Sequence, residues 1–289
     1  MTAEKFLLNN RKTLFFFSLA VFLASLIIGF VMKPNYGVEF AGGYIIETSA
    51  DLPKGANELL EGDLADVLIE VDKREEGQTI KLTTKTTQVE LEGFKSAMGE
   101  SLLSVDSISG SYGEEMQSNS FKAVVAAMLA MTLYLAIRYN TIMAGATMVA
   151  LIHDLVIALG FVVFFGIEIN TMTVGALMTI IGYSVNDSVV TLDKLKELLR
   201  KKAESPVLKA IKLVLPRSLI TSKSTILVLI SLLMLGGEAV RGFALVMAIG
   251  VVFGTLSSLV VVTSLIEKAA KNKPSVFEIP EKPSIDGDV

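Results

Sequence analysis

The sequence predicts an α-helical membrane protein, with six transmembrane helices and a small α+β extracytoplasmic domain. Three observations predict it. Apolar residues make up 52% of the chain and charged residues 19%, where a soluble protein carries about a quarter charged. Six apolar stretches each approach the roughly 20 residues a helix needs to cross a hydrocarbon core. A single polar segment, 33–120, separates the first stretch from the other five.

The elements follow in order. Residues 1–12 are a basic start with Lys5, Arg11 and Lys12. The first span, 13–32, ends without a small-residue cleavage site, so it reads as a retained anchor rather than a cleaved signal. Segment 33–120 holds 17 acidic and 7 basic residues. Its alternating stretches 44–49, 67–72 and 79–85 read as strands, the last two joined by a turn at 75–77. Residues 89–98 have helical spacing and 105–111 reads as a last strand. The remaining spans are 121–137, 142–165, 170–192, 219–235 and 243–266, in a membrane block 121–266. Within it, 193–217 is basic and amphipathic, with Pro206 dividing it. Its leucines suit the anionic inner surface of a bilayer. The tail, 267–289, carries three prolines and reads as disordered.

Charge sets the orientation. Segment 193–217 has eight Lys and Arg residues and the tail has four. The loops at the opposite ends of the helices hold only Glu168, Glu238 and Arg241. Basic residues stay on the cytoplasmic side, so both termini are expected there, in a multi-pass cell membrane protein. The absence of cysteine and the single histidine argue against a metal site. No cofactor, metal or enzymatic activity is expected.

Ionisable groups inside spans are costly and mark function. Asp187 lies on a line with Thr179, Tyr183 and Thr191 at four-residue spacing, with Ser184 and Asn186 beside it. Two readings stay open: a titratable group that loads and releases a proton, or a permanently hydrogen-bonded aspartate fixing helix register. Arg217 begins a second line with Thr221, and it reads either as a cation for Asp187 or as a snorkelling anchor. His153 and Asp154 sit mid-span. As sequence neighbours they are expected to face different partners, either as a relay or as a packing pair. Lys223 points away from Arg217 and has no assigned role. Gly250 and Gly254 form a small-residue stripe, followed by Ser257 and Ser258, that lets helices approach closely.

Four strings carry a resemblance: Val38-Glu-Phe-Ala-Gly-Gly43, Leu151-Ile-His-Asp154, Gly182-Tyr-Ser-Val-Asn-Asp-Ser-Val-Val190 and Arg217-Ser-Leu-Ile-Thr-Ser222. With the six spans and the large first loop, the chain resembles the SecD/SecF family of protein-export membrane proteins. The resemblance implies half of a resistance-nodulation-division-type transporter, pairing with a SecD chain. It also implies association with the SecYEG translocon and with translocating preproteins, with no nucleic acid involved, and coupling to the proton-motive force. It places the ion-coupling pair at Asp187 and Arg217, and a domain-entry motif at Glu39, Phe40, Gly42 and Gly43. Glu39 stands where the family usually has aspartate, Lys194 and Lys196 where it has arginines, and Lys223 where it has an apolar residue.

Two rivals remain. A small-molecule exporter half of the same superfamily predicts a larger outer domain. An intramembrane aspartyl protease predicts Asp154 and Asp187 as a dyad sharing a proton.

Overall fold

A computed structural model describes residues 3–49, 52–62, 68–74, 77–83 and 88–272. The turn expected at 75–77 lies largely outside the described residues, and so does the expected disordered tail from residue 273 on; its first part, 267–272, is helical instead. The chain is mostly helical, with one four-stranded sheet.

Helix α1 (Ala3–Asn9) leads into α2 (Arg11–Val31). The short α3 (Val38–Ala41) follows, and then β1 (Gly43–Thr48). The turn between α3 and β1 passes through Gly42 at φ 76°, a left-handed conformation that suits glycine. Helix α4 (Lys54–Glu61), strands β2 (Leu68–Arg74) and β3 (Gly77–Thr83), helix α5 (Gln88–Met98) and strand β4 (Leu102–Ile108) complete the small domain. The sheet is antiparallel in the order β2-β3-β1-β4. Alternation decides its faces: Ile46 opposite Ile80, with Leu82, points to one side. There Ala56 and Leu60 of α4 and Leu91, Phe94 and Met98 of α5 close a core. Helix α4 was not foreseen from the sequence.

The membrane block contains α6 (Gly110–Arg138), α7 (Thr141–Phe164), α8 (Thr171–Arg200), α9 (Pro206–Leu235) and α10 (Glu238–Leu256). A π-helix at Ser257–Val262 then passes into α11 (Thr263–Asn272). Side-chain oxygens cap several starts. Ser109 accepts from Tyr112 N, Asn140 from Met143 N and Asn170 from Thr173 N, satisfying N–H groups the first turn leaves free. Ser109 explains why α6 begins well before the expected 121: its first turns are polar but capped.

Five helices among the described residues are long and apolar enough to cross a membrane: Arg11–Val31, Gly110–Arg138, Thr141–Phe164, Pro206–Leu235 and the continuous Val240–Ala270. Helix α8, expected as the fourth of six spans, is not one of the five. Hydroxyls, Asn186, Asp187 and a charged C-terminal end interrupt its apolar content. It is instead central, packed against α6, α7, α9 and α10 through buried Ala176, Ile180, Ile181 and Leu192.

The basic segment 193–217 is not a separate surface helix. It is the end of α8 and the start of α9, with Pro206 at the first turn of α9, where its missing N–H costs nothing. Its apolar face turns into the protein. Leu195 and Leu198 pack with Met143, Ala146 and Leu192, while Ile211 and Leu215 pack with Leu7 and Leu259. Only Leu208 of that face is exposed. The expected rest on the bilayer is therefore replaced by helix packing. At the same end, Tyr139 Oη donates to Asp193 Oδ1 at 2.7 Å and Arg138 pairs with Asp193 at 2.8 Å, joining α6 to α8.

Candidate functional site

Two aspartates are buried at the heart of the bundle. Asp187 projects from α8 and accepts from Ser218 Oγ of α9 and Ser258 Oγ of the π-helix, both at 2.6 Å. One carboxylate thereby gathers three elements. Asp154 of α7 is fully enclosed. Its Oδ2 accepts from Ser184 Oγ of α8 at 2.6 Å and from Ser257 Oγ at 2.7 Å. Its Oδ1 lies 2.9 Å from His153 Nδ1. With Nδ1 donating to the carboxylate, His153 Nε2 accepts from Ser18 Oγ of α2 at 2.8 Å. Phe22 of α2 stacks on the same imidazole at 5.6 Å.

Helix geometry explains the arrangement. Ser184 and Asp187 are three residues apart on α8 and share a face. Glycines make the close approach possible: a Cβ on Gly250 would lie 2.2 Å from Ile180 Cγ1, and one on Gly254 3.3 Å from Ser184 Cβ. The π-helix, with i→i+5 bonds, carries Ser257 and Ser258 inward together. Such segments recur at functional sites.

The structure brings together some of the residues expected at the site and not others. Thr191 donates to Asp187 O at 3.2 Å. Tyr183 Oη donates to Ser222 Oγ at 3.1 Å, and Ser222 meets Thr255 Oγ1 at 2.6 Å, extending the polar seam along α9 and α10. Asn186 and Thr221 stay outside it. Asn186 is exposed, and Thr221 is exposed with its hydroxyl bonded to its own helix at Arg217 O.

Two expectations need correction, one at Arg217 and one at His153 and Asp154. Arg217 does not meet Asp187 in this chain. It faces outward on α9, because its neighbour Ser218 occupies the inward position and successive helical residues diverge by about 100°. Lys223 is exposed as well. His153 and Asp154 do face each other, with Nδ1 and Oδ1 2.9 Å apart. The two carboxylates share no hydrogen bond with each other; each has its own donors, unlike a proton-sharing dyad.

Ser218, Ser257, Ser258 and Ser18 were not read as site residues from the sequence. Of these, only Ser257 and Ser258 stand out in the sequence, and those as small packing residues. An isolated serine in an apolar helix gives no further signal, since it more often bonds its own helix.

An ionised carboxyl only accepts hydrogen bonds, whereas a protonated one must also donate. Loading a proton on Asp187 therefore obliges one of its two serines to turn from donor to acceptor. Among the described residues no group of three or more His, Asp or Glu is placed to hold a metal.

The domain-entry motif also has a place. The Glu39 carboxylate accepts from Thr171 N at 2.8 Å and from Thr171 Oγ1. A negative charge thus sits at the N-terminus of α8, where the helix dipole favours it. Lys81 of β3 pairs with Glu168, just before α8, at 2.9 Å. Phe40 O accepts from Gln117 Nε2 of α6 at 2.7 Å. Gly113 of α6 lies so close that a Cβ there would be 2.5 Å from the same oxygen. Phe40 is buried.

The fold and site define a multi-pass membrane protein with buried carboxylates in its bundle and a small domain mounted on its helix ends. Residues 88–272 match the family model of the SecD/SecF protein export membrane protein, C-terminal region. The chain is 30% identical to protein translocase subunit SecF of Calditerrivibrio nitroreducens, covering 90% of this chain and 92% of that one. It is 31% identical to protein translocase subunit SecF of Rickettsia rickettsii, covering 87% of each. Its fold is similar to SecDF, a translocon-associated membrane protein from Thermus thermophilus, with a TM-score of 0.76 and 28% identity. That likeness spans 92% of this chain and 38% of the SecDF chain. The chain belongs to the SecD/SecF family of protein-export membrane proteins.

Proposed function

We propose that this chain serves protein export as one half of a SecDF-like pair, with a SecD chain as the other half. On this reading the pair resembles a resistance-nodulation-division transporter and acts beside the SecYEG translocon on preproteins emerging from it. Helix α8 completes the set of six spans, as the fourth in chain order. It tolerates its polar content because it is enclosed by other helices. Both termini lie in the cytoplasm, and the domain within 33–120 lies on the far side of the cell membrane.

The observation that carries the proposal is Asp187: a buried carboxylate held by hydroxyls from two other elements, with no ion pair to any cation among the described residues. Protonation reorganises Ser218 and Ser258. Helix α9 is weakened close by, because Pro216 removes the N–H that would bond Lys212 O. When the carboxylate ionises again, a turn of α9 by one residue position exchanges Ser218 for Arg217, whose charge then meets it. Alternation between the two partners moves the spans, and the outer domain follows and keeps a translocating chain from sliding back.

The test is export of a reporter preprotein in cells depleted of their own SecF and supplied with wild type or Asp187→Asn. SecD co-purification is the control. Export that falls while SecD still binds supports ion coupling at Asp187. Normal export by Asp187→Asn rejects it and leaves Asp187 a register-fixing group.

A further inference from the structure

A second site lies at the opposite end of the chain's helices from the small domain. A cleft of about 830 Å³ opens between the start of α2, the start of α9 and α11. Its rim carries Arg11, Lys12 and Lys268, and its apolar wall carries Phe15, Phe16 and Leu208. We infer that this cleft binds the phosphate headgroup of an anionic phospholipid, with the acyl chains lying along α2.

The charge balance comes first. Arg11 is almost enclosed, with 12% of its side chain exposed. Its Nη1 pairs with Glu267 at 2.8 Å, and its Nη2 donates to Thr263 Oγ1 at 3.2 Å and Ser264 Oγ at 3.1 Å. Its Nε is buried and meets no acceptor. A buried donor without an acceptor is uncommon and unfavourable, and an anionic oxygen in the cleft would satisfy it. Lys12 and Lys268 make no ion pair with any described residue. The site therefore offers two uncommitted ammonium groups and one uncommitted guanidinium N–H. Lysine serves as a point charge toward phosphate.

The apolar half selects an amphiphile over a bare anion. Phe16 is 65% exposed, and Leu19, Leu23, Ile27 and Phe30 continue the exposed side of α2 away from the cleft. The cations stand at the first turn of a membrane-crossing helix and the apolar face runs down it. That order of head and tail is the order of a phospholipid in one leaflet. The assignment to the inner leaflet rests on the orientation proposed above, whereas binding itself does not.

The experiment is native mass spectrometry of the full chain purified in a neutral detergent. The probes are dioleoylphosphatidylglycerol, dioleoylphosphatidylcholine and inorganic phosphate. One phosphatidylglycerol molecule should remain bound under collisional activation that strips phosphatidylcholine. The double variant Lys12→Gln/Lys268→Gln should hold it about tenfold or more weakly, as expected for two charges near an anionic headgroup. Its unfolding temperature should not change, since both side chains lie at the surface. Phe16→Ala should weaken phosphatidylglycerol retention too. Equal retention of the two lipids by wild type, or undiminished retention by the double variant, overturns the site. Displacement of the lipid by inorganic phosphate overturns the lipid and leaves a free-anion site. Loss of export in Asp187→Asn has no bearing on these readouts, so the two proposals fail separately.

Discussion

Ser257 and Ser258 are adjacent in the chain, yet their hydroxyls serve different carboxylates, Ser257 that of Asp154 and Ser258 that of Asp187. The π-helix that holds them is thus a shared strut between two buried acids. Ser184 makes a second link, since it donates to Asp154 from the same face of α8 that carries Asp187.

The strut makes the two serines energetically dependent. Ser257→Ala and Ser258→Ala should each cost about 1–3 kcal/mol, the range for removing a donor to a buried charged group. The double variant should depart from additivity by more than about 0.5 kcal/mol, because the residues share one backbone segment. Thermal unfolding of the four proteins in detergent completes the cycle. Strict additivity would mean that the carboxylates are independent.

Asp154 should matter more for folding than Asp187. It is fully buried with three donors, against two for Asp187. Asp154→Asn turns amide hydrogens toward groups that need an acceptor and should destabilise by about 2–4 kcal/mol. Asp187→Asn should cost about 1–2 kcal/mol. The comparison is read from unfolding temperatures, and the reverse order would show that Asp187 anchors the bundle.

Gly250→Ala should be much worse than Gly254→Ala. The added methyl at 250 falls 2.2 Å from the fully buried Ile180, whereas at 254 its nearest neighbour is 3.3 Å away. Overpacking of the first kind costs about 1–3 kcal/mol. Equal unfolding temperatures for the two variants would show that Ile180 repacks freely.

Glu39→Ala should loosen the start of α8. Loss of the charge at a helix N-terminus costs about 0.3–1 kcal/mol, besides the lost bonds to Thr171. Amide hydrogen exchange at 171–174 should speed up while exchange at 184–188 is unchanged. Unaltered exchange at 171–174 would show that Asn170 caps the helix unaided.

Tyr139 should titrate late. Burial, then its bond to Asp193, pushes the phenol up to about 12 from 10.0. Its folded value is raised, so the stability it contributes is complete below pH 10 and is lost as pH rises through about 12. The ultraviolet difference between wild type and Tyr139→Phe should show tyrosinate only in that upper range. A transition near 10 would place the phenol in open solvent.

The apolar stretches and the alternating strands made most of this fold legible. Strand alternation located β1 to β4 within a few residues, because one face of the sheet is buried by α4 and α5. Capped polar turns were less visible: the first turns of α6 carry no apolar signal, and Ser109 alone marks its start. At the site, charge was legible and hydroxyls were not. Asp187 and Asp154 stand out in apolar helices at any spacing. Ser218 and Ser18 do not, since which side of a helix a serine takes depends on neighbours that meet only in three dimensions. The same limit applies to Arg217, whose spacing on α9 fits an inward side chain while Ser218 holds that position.

The entry turn at Glu39 and Phe40 has two footings, one on α8 through Thr171 and one on α6 through Gln117 and Gly113. A platform bolted to two posts responds to the difference between them. If α6 and α8 slide together, the small domain rides with them and keeps its attitude. If α8 alone slips by a single residue's rise, about 1.5 Å, the domain must pivot about its attachment to α6. The small domain is in this sense a differential gauge of two helices, and the displacement it magnifies is that of the helix carrying Asp187.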